Sequence, residues 1–233
     1  MKMNPRMRRG FTLVELLVVI VIIAALAGLT APMVIRQRKK ADQTEAVSNA
    51  RQIGLALFEF ETAYGSFPDS TTAPTVTENT GTTLTFGGAS ANDYFRQLIA
   101  AEICQSEAMF YAKTSFSKKP DNVFNTTENA LAKGEVGYGY LLNTNTAFST
   151  AGNPARPIVV APLLYPFQSG QFDLDLYDSK AVVLRIDNSV QSIPILRQSK
   201  LAQLGGGKSL LVTGEDTVWG TGVVPTMVNP QPK

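Results

Sequence analysis

Glu15 is the sole ionisable side chain in the apolar run from Phe11 to Ile35, FTLVELLVVIVIIAALAGLTAPMVI. A carboxylate inside a membrane-spanning helix costs about 2.5–3.5 kcal/mol on insertion scales, so a group that neutralises it is expected. Other candidate chemistry is sparse. Asp173, Asp175 and Asp178 cluster in FDLDLYD. They could supply some of the roughly six to eight oxygen ligands of a calcium ion, but their spacing is not that of an EF-hand and polar turn residues account for the cluster as well. Gly205-Gly206-Gly207-Lys208-Ser209 superficially looks like a phosphate loop, yet it lacks the required gap between glycines and the strand-to-helix setting, and reads as a surface loop. The chain has no histidine, which removes the commonest general base and the commonest zinc ligand. Its single cysteine, Cys104, can form no intramolecular disulfide or Cys-rich metal site. Set among Phe95, Leu98, Ile99 and Ile103 in an amphipathic pattern, it reads as a small buried apolar residue. No cofactor is expected, unless the three aspartates hold calcium.

These residues need elements to position them. As a helix, Phe11 to Ile35 would extend roughly 37 Å at about 1.5 Å per residue, enough to cross a bilayer. Lys2, Arg6, Arg8 and Arg9 precede it and Arg36, Arg38, Lys39 and Lys40 follow it. Basic clusters flanking a bilayer-length run are a poor sign of nucleic-acid binding, and their equal weight leaves orientation undecided by loop charge. An ordinary signal peptide has a shorter apolar core, and an ordinary anchor does not explain Glu15. With 233 residues, 44% hydrophobic and 17% charged, the chain can build one folded head beside a membrane segment.

The stretch Arg8-Arg9-Gly10-Phe11-Thr12-Leu13-Val14-Glu15-Leu16-Leu17-Val18-Val19-Ile20 resembles, nearly residue for residue, the cleavage and methylation motif of type IV prepilins and of the pseudopilins of type II secretion systems. The resemblance implies a leader, residues 1–10, removed after Gly10 by a prepilin peptidase that then N-methylates Phe11. Glu15 becomes the fifth residue of the mature chain. Its carboxylate can meet the new amine of a neighbouring subunit's first residue when parallel helices stagger, relieving two charges at once in a low-dielectric filament core. The resemblance further implies a stem bend near Gly28 and Pro32, where proline removes a backbone hydrogen bond. Its implied partners are the prepilin peptidase, other pilin or pseudopilin subunits, an inner-membrane assembly platform and membrane lipid. The implied location is the bacterial inner membrane, single-pass, with the head periplasmic or otherwise outward, and then a filament.

Beyond the run, Val47, Ala50, Ile53, Leu57, Phe60 and Tyr64 recur at helical steps, predicting an amphipathic second half of the stem over residues 36–64. Gly65 and Pro68 end it, and the exit YGSFPDS is also similar to the family's. A head is expected over residues 65–224: irregular structure from Ser70 to Ser90, and a helix capped by Ser90 and Asp93 that runs to about Met109. Strands are predicted at Val136–Leu142, Ile158–Leu164, Ala181–Asp187, Val190–Leu196 and Leu210–Thr213. Residues 225–233, rich in proline, read as an exposed tail. The fold class is therefore α+β, a long N-terminal helical stem packed on a small antiparallel sheet. Two functional classes follow. One is a non-enzymatic filament subunit of a pilus or secretion pseudopilus. The other is an enzymatic or ligand-binding head that uses the leader only for anchoring, for which the sequence shows no convergent polar constellation.

Overall fold

Helix α1 spans Leu13–Tyr64 in the computed structural model, which describes residues 11–144 and 146–233. The basic leader, with Gly10, lies outside the described residues. The chain divides into two units, residues 1–39 and Lys40–Lys233, and α1 contributes to both.

In the first unit every described side chain of α1 up to Ile35 is exposed, with Leu13 at 79% and Val19 at 45%. A helix apolar all round and covered by nothing of its own suits a lipid or protein surround. Among the described residues it is the one helix long and apolar enough to cross a membrane.

The second unit is the head, with the rest of α1 as its longest element. Ala46, Ala50, Ile53, Leu57 and Phe60 are completely buried. They follow the expected stripe, with Ala46 inside it and Val47 at its margin. Two tyrosines tie the stem to the head: the Tyr138 hydroxyl donates to the Ala46 carbonyl on this face at 2.7 Å, and the Tyr140 hydroxyl to the Pro68 carbonyl just past the helix end at 3.0 Å. Gly54 is required on the same face. A Cβ there would collide with the Asn188 amide and crowd Leu184, so glycine lets the β-hairpin turn approach the helix.

Five antiparallel strands form one sheet: β1 (Gly139–Asn143), β2 (Pro157–Ala161), β3 (Lys180–Arg185), β4 (Val190–Pro194) and β5 (Pro225–Val228), in the order β4-β3-β2-β1-β5. β2 is buried at every residue and β3 at all between its ends, so both sheet faces are covered where the strands read IVV and AVVL. The β3–β4 hairpin turns through Asn188 at φ 61°, a left-handed conformation asparagine tolerates. This is the expected α+β, pilin-like arrangement.

Four details differ from the sequence reading. Helix α2, Thr72–Thr80, occupies the segment expected to be irregular, and Gly81 at φ 63° closes it. Helix α3 covers Ala91–Ala100 with the expected Ser90–Asp93 capping box, but it ends well before Met109 because Glu102 takes φ 60°. A short 3-10 turn at Glu107–Phe110 follows. Leu210–Thr213 is not a strand. Leu210 instead offers its carbonyl to the buried Trp219 indole N–H at 2.7 Å, which pins an irregular loop.

The fourth difference is the fifth strand, which comes from the segment expected to be a free tail. Tyr140 to Asn143 pair with Val228 to Pro225. Further on, Gln231 N–H donates to Asn92 Oδ1 at 2.8 Å, Gly134 N–H to the Gln231 carbonyl at 2.8 Å and Lys233 N–H to the Phe116 carbonyl at 3.1 Å. Pro225 sits at the first position of an edge strand, where its missing N–H is tolerated.

Candidate functional site

The N-terminal turn of α1 places the principal candidate. Thr12 precedes the helix, and its backbone N–H and hydroxyl donate to Glu15 Oε2 at 2.8 and 2.7 Å. In return the Glu15 N–H donates to Thr12 Oγ1 at 3.3 Å. This is a reciprocal capping box: the carboxylate satisfies donors that the first turn otherwise leaves open, at the end of the helix dipole that favours negative charge. Phe11, directly before the cap, is 79% exposed. The arrangement holds an anionic group beside the chain position where cleavage after Gly10 would create an amine. Thr12-x-x-Glu15 ahead of an apolar run is itself a sequence-level signature. Reading Glu15 only as a charge to be neutralised from outside misses this intramolecular partner.

Gly28 and Pro32 lie inside α1, and the helix continues through both. Cys104 is buried just beyond α3, its Sγ 3.5 Å from Met109 Sδ, and burial, with Glu59 adding to it, pushes the thiol up to about 12. A thiol held neutral in this way is a poor nucleophile.

Of the three aspartates, Asp173 is half-buried just ahead of a turn that carries the exposed Asp175 and Asp178. Asp173 Oδ1 accepts the Asp175 N–H at 2.9 Å, and Asp178 takes φ 55°. The acidic group that the described residues bring together is another one: Glu107, Asp121 and Glu135, with one carboxylate oxygen of each within 4.8 Å of the others. Glu107 and Glu135 are fully buried. Burial raises the Glu107 carboxyl above its ordinary value, and the charges of Glu135 and Asp121 add to the rise. No local motif announces this set, because its members come from separate segments.

The glycine-rich loop forms a short turn at Gly205–Gly207, and Lys208 Nζ turns back to the Asp216 carbonyl at 3.2 Å. Beside it lies a cleft of about 210 Å³ bordered by Arg185, Lys208, Asp216 and Thr217. It is smaller than ordinary small-molecule sites, which run to roughly 300 Å³ and more.

Comparison with known proteins bears on the N-terminal segment. The family model for the prokaryotic N-terminal methylation motif matches residues 5–31. The chain is 39% identical over 66 residues to the type II secretion system core protein G of Aeromonas hydrophila, covering 28% of this chain and 46% of that one. It is 48% identical over 50 residues to core protein G of Escherichia coli (strain K12), covering 22% and 34%. With the protein of Dickeya chrysanthemi the identity is 50% over 44 residues, covering 19% and 29%. The chain thus spans less than half the length of these curated relatives. No solved structure matches it. The resemblance found in the sequence stands: the chain carries the N-terminal methylation motif and is similar there to type II secretion pseudopilins.

Proposed function

We propose that this chain is a structural subunit of a filament of the pseudopilus or type IV pilus kind, tilted toward a secretion pseudopilus by its relatives. The observation that carries the reading is Glu15: an acidic side chain in the first turn of α1, whose part up to Ile35 is otherwise apolar and uncovered, inside the segment that matches the methylation motif. In this reading a prepilin peptidase cuts after Gly10 and methylates Phe11. The chain waits in the bacterial inner membrane with its head on the periplasmic side, and an assembly platform adds it to a filament of like subunits.

Glu15 then has two partners in turn. In the membrane its carboxylate is held by Thr12, so the charge is not left bare in lipid. In the filament the amine of a neighbour's first residue supplies a full positive charge, which in a low-dielectric core attracts the carboxylate more strongly than neutral donors do. The exchange favours assembled over free subunits and fixes the axial register. Pro32 has no N–H for the Gly28 carbonyl, four residues earlier, and this weak point lets the stem bend as it packs.

The head acts as a scaffold and not as an enzyme. Its cysteine is buried, and its tyrosines serve as hydrogen-bond posts to the stem and the loops around it. The test is intact mass with N-terminal sequencing of protein from membranes of cells that co-express a prepilin peptidase. A chain beginning at N-methylated Phe11 is expected. A chain that keeps residues 1–10, or is cut near Ala27 to Ala31, overturns the reading in favour of an anchor or a conventionally secreted protein.

A further inference from the structure

We infer that Glu107, Asp121 and Glu135 form a divalent-cation site in the head, with calcium as its ion. The three carboxylates converge to within 4.8 Å of one another, about the span of two oxygens on opposite sides of one ion at roughly 2.4 Å each. Backbone amides hold one oxygen of each. Leu131 N–H donates to Glu107 Oε1 at 2.6 Å, Ala132 N–H to Glu135 Oε2 at 2.8 Å and Val123 N–H to Asp121 Oδ1 at 2.9 Å. Asn122, at φ 59°, closes the loop by accepting the Glu107 N–H at 2.9 Å through Oδ1. Such outer contacts orient ligands toward an ion.

The remaining oxygens show what the site lacks. Glu107 Oε2 is buried with no hydrogen-bond partner, on a side chain that is completely buried. Glu135 Oε1 is likewise buried and without a hydrogen bond, and meets the Lys118 ammonium at 3.2 Å as an ion pair. A buried carboxylate oxygen without a donor is costly, and two of them beside each other repel. Three ionised carboxylates and one ammonium sum to −2, the charge a divalent cation cancels. An all-carboxylate set with no thiolate or imidazole selects a hard cation. Asp121 is exposed and leaves one side open to water, which would complete the larger coordination number of calcium.

The test uses the full chain in detergent micelles after dialysis against EDTA. Calorimetric titration with CaCl2 is expected to show one site, with a rise in thermal midpoint and at least tenfold weaker binding of MgCl2. Asp121→Asn, at an exposed position, should keep the midpoint measured in EDTA yet weaken calcium binding tenfold or more, and Glu107→Gln should abolish binding. The double variant Asp173→Asn/Asp175→Asn should bind as the unaltered protein does. Absence of binding at millimolar calcium overturns the inference. So does unchanged affinity in Asp121→Asn, or a loss confined to the Asp173/Asp175 double variant.

Discussion

Both polar hydrogens of Thr12 point at a single oxygen of Glu15, 2.8 Å from its backbone nitrogen and 2.7 Å from its hydroxyl. The residue proposed to join subunits is thus already engaged inside its own chain. Glu15→Gln keeps the shape and the capping contact but removes the charge. Its expected phenotype is normal cleavage after Gly10 with the subunit left in the membrane fraction and absent from sheared filaments, read by immunoblot of both fractions. Thr12→Val removes the hydroxyl only, and filaments should persist at reduced yield. Normal filaments from Glu15→Gln would refute the pairing.

Gly54 makes a sharper structural prediction. In an isolated helix Gly→Ala would stabilise by roughly 1 kcal/mol, but here the added methyl meets the Asn188 amide and Leu184. Overpacking of this kind costs about 1–3 kcal/mol, so Gly54→Ala should lower the thermal midpoint by several degrees. Differential scanning calorimetry of the full chain in detergent checks the sign.

Asp69 ties the stem exit to two other segments. Its Oδ1 accepts the Thr71 and Thr72 N–H groups at 2.7 and 2.9 Å, and its Oδ2 accepts the Ala147 N–H at 3.0 Å. Burial alone would raise this carboxyl, but the donors outweigh it and hold it below the ordinary range; Asp93, capping α3 with Ser90 and Arg96 around it, is lowered in the same way. The folded state therefore binds fewer protons here than the unfolded chain does. The resulting stability is complete above the ordinary aspartate pKa of about 3.9 and is lost as pH falls through that value and below it. Asp69→Ala should cost about 2–3 kcal/mol at neutral pH, and Asp69→Asn should flatten the acid limb of the stability curve, both measured by denaturant unfolding.

Removing residues 225–233 strips the β5 ladder from β1 and frees the Gly134 and Lys118 turns that the C-terminus braces. Deletion should render the head more sensitive to limited proteolysis near residues 118–135 than the intact chain. Equal resistance would show that the last strand is dispensable.

The sequence alone made the stem legible. The uninterrupted apolar run, its lone carboxylate, the helical stripe from Ala50 to Phe60 and the Gly65 stop are local patterns, and local patterns fix a helix and its faces whatever the rest of the fold does. The Ser90–Asp93 cap was readable for the same reason, because donor and acceptor sit within a few residues of each other. Tertiary structure decided what depends on distant partners. Residues 225–228 became a strand only because β1 offered an open edge, against the bias of flanking prolines. Leu210 lost its strand to an indole that needed an acceptor. Glu107 and Glu135 look like ordinary solvated acids in the sequence. They become a buried carboxylate pair because the turn after α3 and the approach to β1 fold against each other, bringing together charges that no short-range pattern records.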